Sequence, residues 1–356
     1  MKHWKKLLSL ALTLALALSL AGCGKTDPQD TGAEDQTQTE EQTEEPVSES
    51  YSIAALKGPT AMGLVKLMSD TDEKAAQMLD SSKPYEGEVG NLYTFTLAAS
   101  ADEVSPLLMK GELDMACVPA NLAAVLYQKT EGDIVTLAVN TLGVLYIVEN
   151  GNAVTSMADL AGKTIVASGK GSTPEYALRY LLSENGLDPD ADVTIDWKSE
   201  HSECVTALAT GAATIAMLPQ PFVTVAENKI SGLRTALDLT EQWDALDNGS
   251  ALLTGVIVAR REVVEQNPAA VDAFLKDYAG SVEWVNANPA DAAELIGSYG
   301  IVEAAVAEKA LPHCNIVCIT GAEMKDKLSG YLQVLFDADA SSVGGALPGD
   351  NFYYGA

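Results

Sequence analysis

Basic residues are scarce in this chain. Of its 356 residues, 22 are Lys or Arg against 50 Asp or Glu, for a formal net charge of -28. Phosphate backbones and anionic headgroups repel such a chain, which excludes nucleic-acid binding and electrostatic adsorption to membranes. Aromatic residues make up 6%, and Gly and Pro are present in ordinary numbers, so collagen-like and low-complexity classes are excluded for the main body. Histidine numbers three, and past the first turn of the sequence only His201 and His313 remain. There is no G-x-S-x-G elbow and no H-E-x-x-H pair, so hydrolase and zinc-enzyme chemistries lack a nucleophile–base pair or a ligand set. Two stretches look like phosphate loops, but Met157 stands where the first needs its leading Gly, and Gly171 separates Lys170 from Ser172 in the second. No enzyme activity, metal or cofactor is expected.

The first fifty residues are of two kinds. Lys2, Lys5 and Lys6 precede an apolar run from Leu7 to Leu20, closed by Ala21 and Gly22. This is the pattern of a secretory signal over 1–22, and the run is shorter than the roughly 20 residues a membrane-spanning helix needs. Leu20-Ala21-Gly22-Cys23 resembles the lipobox of bacterial lipoproteins, in which the Cys becomes the acylated N-terminus, carrying chains such as palmitate. That resemblance implies a membrane-anchored protein on the extracytoplasmic face of a bacterial cell. Residues 23–50 carry nine acids and one Lys, with Val47 as their one sizeable apolar residue, and read as a disordered acidic tether.

Four cysteines follow. Cys117 and Cys204 sit in apolar runs and read as buried thiols. Cys314 and Cys318 stand close to His313, but no second ligand cluster accompanies them, so a zinc site is not expected.

From Tyr51 onward, short β-branched runs alternate with stretches of helical period, the pattern of βα units and a mostly parallel sheet. Strands are predicted at 51–56, 92–98, 113–118, 134–139, 143–148, 163–167, 193–197, 214–218, 233–236 and 252–259. Thr60 is read as the cap of a first helix, Ser156 and Asp159 as a capping box, and Thr173 as a cap before Pro174. After Arg260 the chain reads as nearly all helix through Leu335.

An internal repeat is visible. Gly111-Glu-Leu-Asp-Met-Ala-Cys-Val-Pro-Ala-Asn121 and Gly211-Ala-Ala-Thr-Ile-Ala-Met-Leu-Pro-Gln-Pro221 align without a gap, Gly, Ala and Pro falling at the same offsets. Two similar α/β lobes follow from it. Asn140 and Thr141 are read as a link between two strands, and with the run around Gly255 they set the expected crossings. The first lobe is then discontinuous, 51–142 and 254–356, and the second is 143–253.

The lipobox, the acidic tether, KGPTAMGL, GELDMACVPAN, DLAGKTIVASGKGSTPEYALRYLL and AMLPQP together resemble solute-binding lipoproteins of ABC importers. The nearest group binds nitrate, sulfonates and taurine and is related to binding proteins for thiamine-precursor pyrimidines. The resemblance spans most of 51–335 and lies in the order of the motifs. It implies a type II periplasmic-binding-protein fold in which two lobes close on a small solute and deliver it to a permease driven by a separate ATPase. A monomer is expected.

In open α/β sheets ligands bind beyond the carboxyl ends of the strands, where helix N-termini offer free N–H groups and partial positive charge. The expected ligand-binding residues are Gly58, Pro59, Thr60, Ala61, Ser100, Pro119, Ala120, Asn121 and Asn140 from one lobe. Gly169, Gly171, Ser172, Thr173, Gln220 and Pro221 come from the other. Asn121 and Gln220 carry amides that both donate and accept, whereas Lys57 and Lys170 are read as solvated surface residues. Two alternatives are a solute sensor that presents the same module to a signalling partner, and a binding protein for a heteroaromatic thiamine-precursor pyrimidine, which would call on Trp243, Tyr146 or Tyr176, each of which reads more simply as core packing.

Overall fold

The structure is a computed structural model and describes residues 49–87 and 89–356. The signal-like segment, Cys23 and nearly all of the acidic tether lie outside the described residues. Along the chain come β1 (Ser50–Leu56), α1 (Pro59–Met62), α2 (Val65–Leu79), β2 (Leu92–Ala98), α3 (Ala101–Met109), β3 (Met115–Pro119), α4 (Ala120–Lys129) and β4 (Ile134–Leu142). Next are β5 (Leu145–Asn150), β6 (Thr164–Ser168), α5 (Thr173–Glu184), β7 (Thr194–Lys198), α6 (His201–Ala209), β8 (Ile215–Pro219), α7 (Phe222–Lys229), β9 (Leu233–Asp238) and α8 (Leu239–Asp244). The remainder is β10 (Leu253–Arg260), α9 (Arg261–Gln266), α10 (Pro268–Ala287), α11 (Pro289–Ser298), α12 (Ala304–Ala310), β11 (Ile316–Ile319) and α13 (Gly321–Ala338).

The strands form two sheets, ordered β11-β4-β10-β3-β1-β2 and β7-β6-β8-β5-β9. In the first, β2, β1 and β3 are parallel, and β10 runs antiparallel between β3 and β4. In the second, β7, β6 and β8 are parallel, and β5 runs antiparallel between β8 and β9. Both sheets therefore run mostly one way, and the reversed strand inside each, β10 or β5, is the one by which the chain arrives from the other sheet. The two repeated segments occupy equivalent places: β3 and β8 each follow a Gly with φ of 74°, at Gly111 and Gly211. A left-handed residue at that point ends α3 and α6 and turns the chain into the strand, at little steric cost to glycine.

Strand side chains alternate between two buried faces, as a period of two requires. Ala116, Val118, Val256 and Val258 face one apolar cluster, while Met115, Cys117, Ile257 and Ala259 face another that contains Phe274, Tyr278 and Ile296 of α10 and α11. Ile147, Ile165, Ala167 and Met217 of the second sheet join the first of these clusters, as do Leu328, Tyr331, Leu332 and Leu335 of α13. One apolar core thus runs continuously from sheet to sheet, with one face of α13 packed into it.

The structure moves several sequence assignments. Asn140 and Thr141 lie inside β4, which pairs with β10 as far as Leu142, so the chain leaves the first sheet at Gly143 and Val144. The C-terminal part is helical but contains β11, which pairs with β4 and uses the β-branched residues Ile316, Val317 and Ile319. Thr60 does not cap α1: the N-cap is Gly58, and the Thr60 hydroxyl donates back to the Leu56 carbonyl at 3.1 Å. The cap of α5 is Ser172, one residue before the predicted Thr173. Pro174 is held to the second helical position, which leaves the Thr173 side chain for another use. The Ser156–Asp159 capping box is present, but it opens a short 3₁₀ turn.

Candidate functional site

Three parallel strands of each sheet end side by side, and each leads into a helix. In the first sheet these helices are α3, α1 and α4, and in the second α6, α5 and α7. Around Gly255 of β10 the first sheet gathers several expected residues. Gly255 pairs with Pro119 on one side and Thr141 on the other. A Cβ at Gly255 would stand 2.5 Å from Asn140 Oδ1 and 2.6 Å from Thr60 Cγ2, so glycine is what lets Thr60 and Asn140 close over the strand. The Asn140 amide donates to the Thr60 carbonyl at 3.4 Å, and its own carbonyl oxygen accepts the Thr141 hydroxyl at 3.0 Å. Gly58, Pro59, Thr60, Ala61 and Ala120 are buried beside them, and Pro119 is half-buried.

Asn121 and Thr173 form the contact between the two sets of helices. Both are fully buried, at the second position of α4 and the first of α5. The Thr173 hydroxyl donates to Asn121 Oδ1 at 3.3 Å, and Asn121 Nδ2 donates to the Ser342 carbonyl at 2.9 Å. Tyr331 of α13 is also fully buried and near enough to Thr173 for that hydroxyl to act on its phenol. Its ring packs on Trp243 at 5.5 Å between centroids, and Trp243 packs on Tyr180 at 4.8 Å.

Other expected residues are engaged locally. Ser100 forms a capping box with Glu103 at the start of α3. The half-buried Ser172 hydroxyl donates to the Gly169 carbonyl at 2.8 Å, and the exposed Gly171 gives its N–H to Glu175 Oε2 at 2.6 Å. Gln220 is 5% exposed, next to buried Pro221, and its carbonyl oxygen accepts from the backbone and hydroxyl of Thr224 at 3.4 and 2.9 Å. Those bonds tie Gln220 to the first turn of α7, whose N-cap is Pro221. Lys57 and Lys170 are exposed, so the buried polar residues around these helix starts are amides and hydroxyls. Of the aromatic candidates, Trp243 is fully buried with its N–H on Ser250 Oγ at 3.1 Å, and the Tyr146 hydroxyl reaches the His313 carbonyl at 3.5 Å. Tyr176 is half-buried and lines an outer groove with Arg179, Tyr180 and Leu335.

His201 emerges as a polar centre at the carboxyl ends of β6 to β8. Its Nδ1 lies 2.5 Å from Ser168 Oγ, and its ring meets Phe222 at 5.0 Å. Burial pushes its pKa down to about 4, which keeps the imidazole neutral at physiological pH. Its polar neighbours in sequence, Lys-Ser-Glu before and Ser-Glu after, conceal this role; the one available signal is its place as the first residue of the helix that follows a strand. Elsewhere burial pushes the Cys117 and Cys314 thiols up to about 12 and Cys318 to about 11, so all three are protonated. Among the described residues no group of three His, Cys, Asp or Glu could hold a metal ion, and no helix is long and apolar enough to cross a membrane.

Paired sheets joined by crossing strands, with helix starts from both meeting at one seam, define a two-lobed periplasmic-binding-protein fold. The chain belongs to the NMT1-like family, which matches residues 61–298. Its fold is similar to that of an ABC transporter protein of Parabacteroides distasonis, with a TM-score of 0.68, 23% identity and 85% and 98% of the two chains covered. It is likewise similar to the periplasmic aliphatic sulphonate binding protein SsuA of Escherichia coli, with a TM-score of 0.64, 17% identity and coverage of 82% and 92%. The periplasmic nitrate-binding protein NrtA of Synechocystis shares the fold at a TM-score of 0.52 and 15% identity, over 70% and 65% of the chains. No curated protein matches the sequence.

Proposed function

We propose that the protein is an extracytoplasmic solute-binding protein, anchored by lipid at Cys23, that captures a small anionic organic solute or oxoanion and delivers it to an ABC permease. Residues 51–142 with 254–356 would act as one lobe and 143–253 as the other. The observation that carries this reading is the meeting of the α4 and α5 N-termini at the Asn121–Thr173 bond, one helix from each sheet. Each helix start contributes about half a positive charge and free N–H groups, typically about 0.3–1 kcal/mol toward an anion. With Lys57 and Lys170 exposed, the anion would be held by helix starts and by the side chains of Thr60, Asn121, Asn140, Thr173 and Gln220. The names of the sulphonate- and nitrate-binding proteins that share the fold agree with this class. Solute bridging both lobes would favour a closed state, which the permease recognises.

A second reading, a neutral heteroaromatic solute such as a pyrimidine, draws support from the buried amides of Asn121 and Asn140, which can pair with ring nitrogens and carbonyls.

The test is a thermal-shift screen of residues 51–356 against sulfonates, carboxylates, nitrate and pyrimidines. A ligand at 100 times its Kd stabilises by about 2.7 kcal/mol. A shift confined to anions supports the first reading, one confined to pyrimidines the second, and silence across the panel counts against both. For the anchor, Cys23→Ser should move the protein from the membrane to the soluble fraction; a variant that stays in the membrane removes the lipid anchor from the proposal.

A further inference from the structure

Buried polar groups are normally paired, because an unpaired one forfeits its bonds to water. The Tyr331 hydroxyl is an exception, fully buried and without a hydrogen-bond partner of ordinary geometry. It lies on α13, beyond residues 61–298 that the family match covers. Its ring is fixed by Trp243 and by the Leu328, Leu332 and Leu335 cluster, so the hydroxyl cannot swing out to solvent. Beside it stands Thr173, whose own proton goes to Asn121 and whose helix start opens at the same point.

We propose that Tyr331 is a solute-contacting residue, its hydroxyl donating to an anionic oxygen of an organic acid held between the first turns of α4 and α5. The inference rests on the solute-binding reading above and narrows it to sulfonates or carboxylates with a carbon skeleton. The Tyr331 ring, Trp243 and the leucines of α13 pack as one apolar cluster around that hydroxyl, so a solute that reaches it meets carbon on that side, which suits an organic tail and gives nitrate nothing. Burial raises the phenol's pKa well above its ordinary value, so Tyr331 is always a donor and never a competing anion.

The experiment compares wild type, Tyr331→Phe and Asn121→Ala by titration with ethanesulfonate, benzoate and nitrate, together with melting of the unliganded proteins. Tyr331→Phe keeps the ring and deletes an unpaired hydroxyl, so its unliganded melting temperature should equal or exceed that of wild type. Its affinity for the organic anion should fall about tenfold, equivalent to about 1.4 kcal/mol, and nitrate should bind wild type more weakly than either organic anion. Unchanged affinity in Tyr331→Phe, while Asn121→Ala loses binding, would overturn the role of Tyr331 and leave the solute reading standing. A clear drop in unliganded melting temperature would also overturn it, by revealing an internal partner for the hydroxyl. If wild type binds none of the three anions, the organic-acid reading falls, and this inference falls with it.

Discussion

Thr173 hands its hydroxyl proton to the side-chain carbonyl of Asn121 across 3.3 Å, and so ties the first turn of α5 to the first turn of α4. The bond has no counterpart in local sequence, because 52 positions separate its partners. Asn121 has a structural role as well, since its amide also holds the Ser342 carbonyl. Asn121→Ala strands that carbonyl and the Thr173 hydroxyl in the core, at about 1–3 kcal/mol. It should therefore lower both the melting temperature and the solute affinity; calorimetry showing an unshifted transition would mean that the contact contributes nothing to the fold.

Gly255 is under steric constraint. Gly255→Ala drives a methyl into Asn140 and Thr60, and overpacking of this kind costs about 1–3 kcal/mol. Because one clash is with Thr60 Cγ2, adding Thr60→Ser should restore part of the loss. Denaturant melts of the two single variants and the double variant would reveal the coupling; strictly additive losses would contradict it.

His201 sets a pH dependence with a definite sign. Its folded pKa of about 4 lies below the ordinary 6.5, so the unfolded chain takes up a proton that the folded one refuses. The stability this shift confers is complete above about pH 6.5 and drains away as pH falls toward 4. The difference in melting temperature between pH 7 and pH 5 should be smaller in His201→Gln than in wild type. Equal differences would show that Ser168 and Phe222 leave the imidazole as well hydrated as an isolated one.

Arg234 closes a polar loop at the edge of the second sheet. Its guanidinium meets Glu149 Oε2 at 2.6 Å and donates to the carbonyls of Gly151 and Val154. Burial acts to raise the pKa of Glu149, but the N–H groups of Val154 and Ala153 together with Arg234 outweigh it and hold the carboxyl below its ordinary value. The stability linked to Glu149 is thus present above the ordinary carboxylate pKa and lost as pH drops through the lowered one. Arg234→Ala leaves the Glu149 carboxylate with only the N–H groups of Ala153 and Val154, and because Arg234 is about a third exposed the loss is about 1–2 kcal/mol. Urea unfolding at pH 7 should place the Arg234→Ala midpoint well below that of wild type, with Glu149→Gln between them.

Strand positions were largely legible in the sequence because both faces of most strands are buried, which leaves runs such as MACVP and IAMLP that few other structures produce. The repeat marked by Gly111 and Gly211 located equivalent strands for the same reason: a left-handed turn before a buried strand leaves its trace in composition. Less legible was anything decided by distant contact. Thr60 and Thr173 read as caps because Thr suits a cap, whereas glycine at 58 and serine at 172 took those places. The strand Ile316–Ile319 was hidden among helices and owes its form to pairing with β4, well over a hundred residues upstream. The amide oxygen of Gln220 is occupied by Thr224, and Tyr331 enters the site region from the far end of the chain. Neither fact has a local signature.

The placing of the reversed strands also sets an order of assembly. All five strands of the second sheet fall between Leu145 and Asp238, so it can complete itself from one continuous stretch. The first sheet lacks its middle until Leu253–Arg260 arrives, and β4 has no neighbour in that sheet before then. As the chain emerges N-terminus first, its opening strands must wait with unpaired edges while the middle folds ahead of them, and that interval is when the protein is most exposed to aggregation.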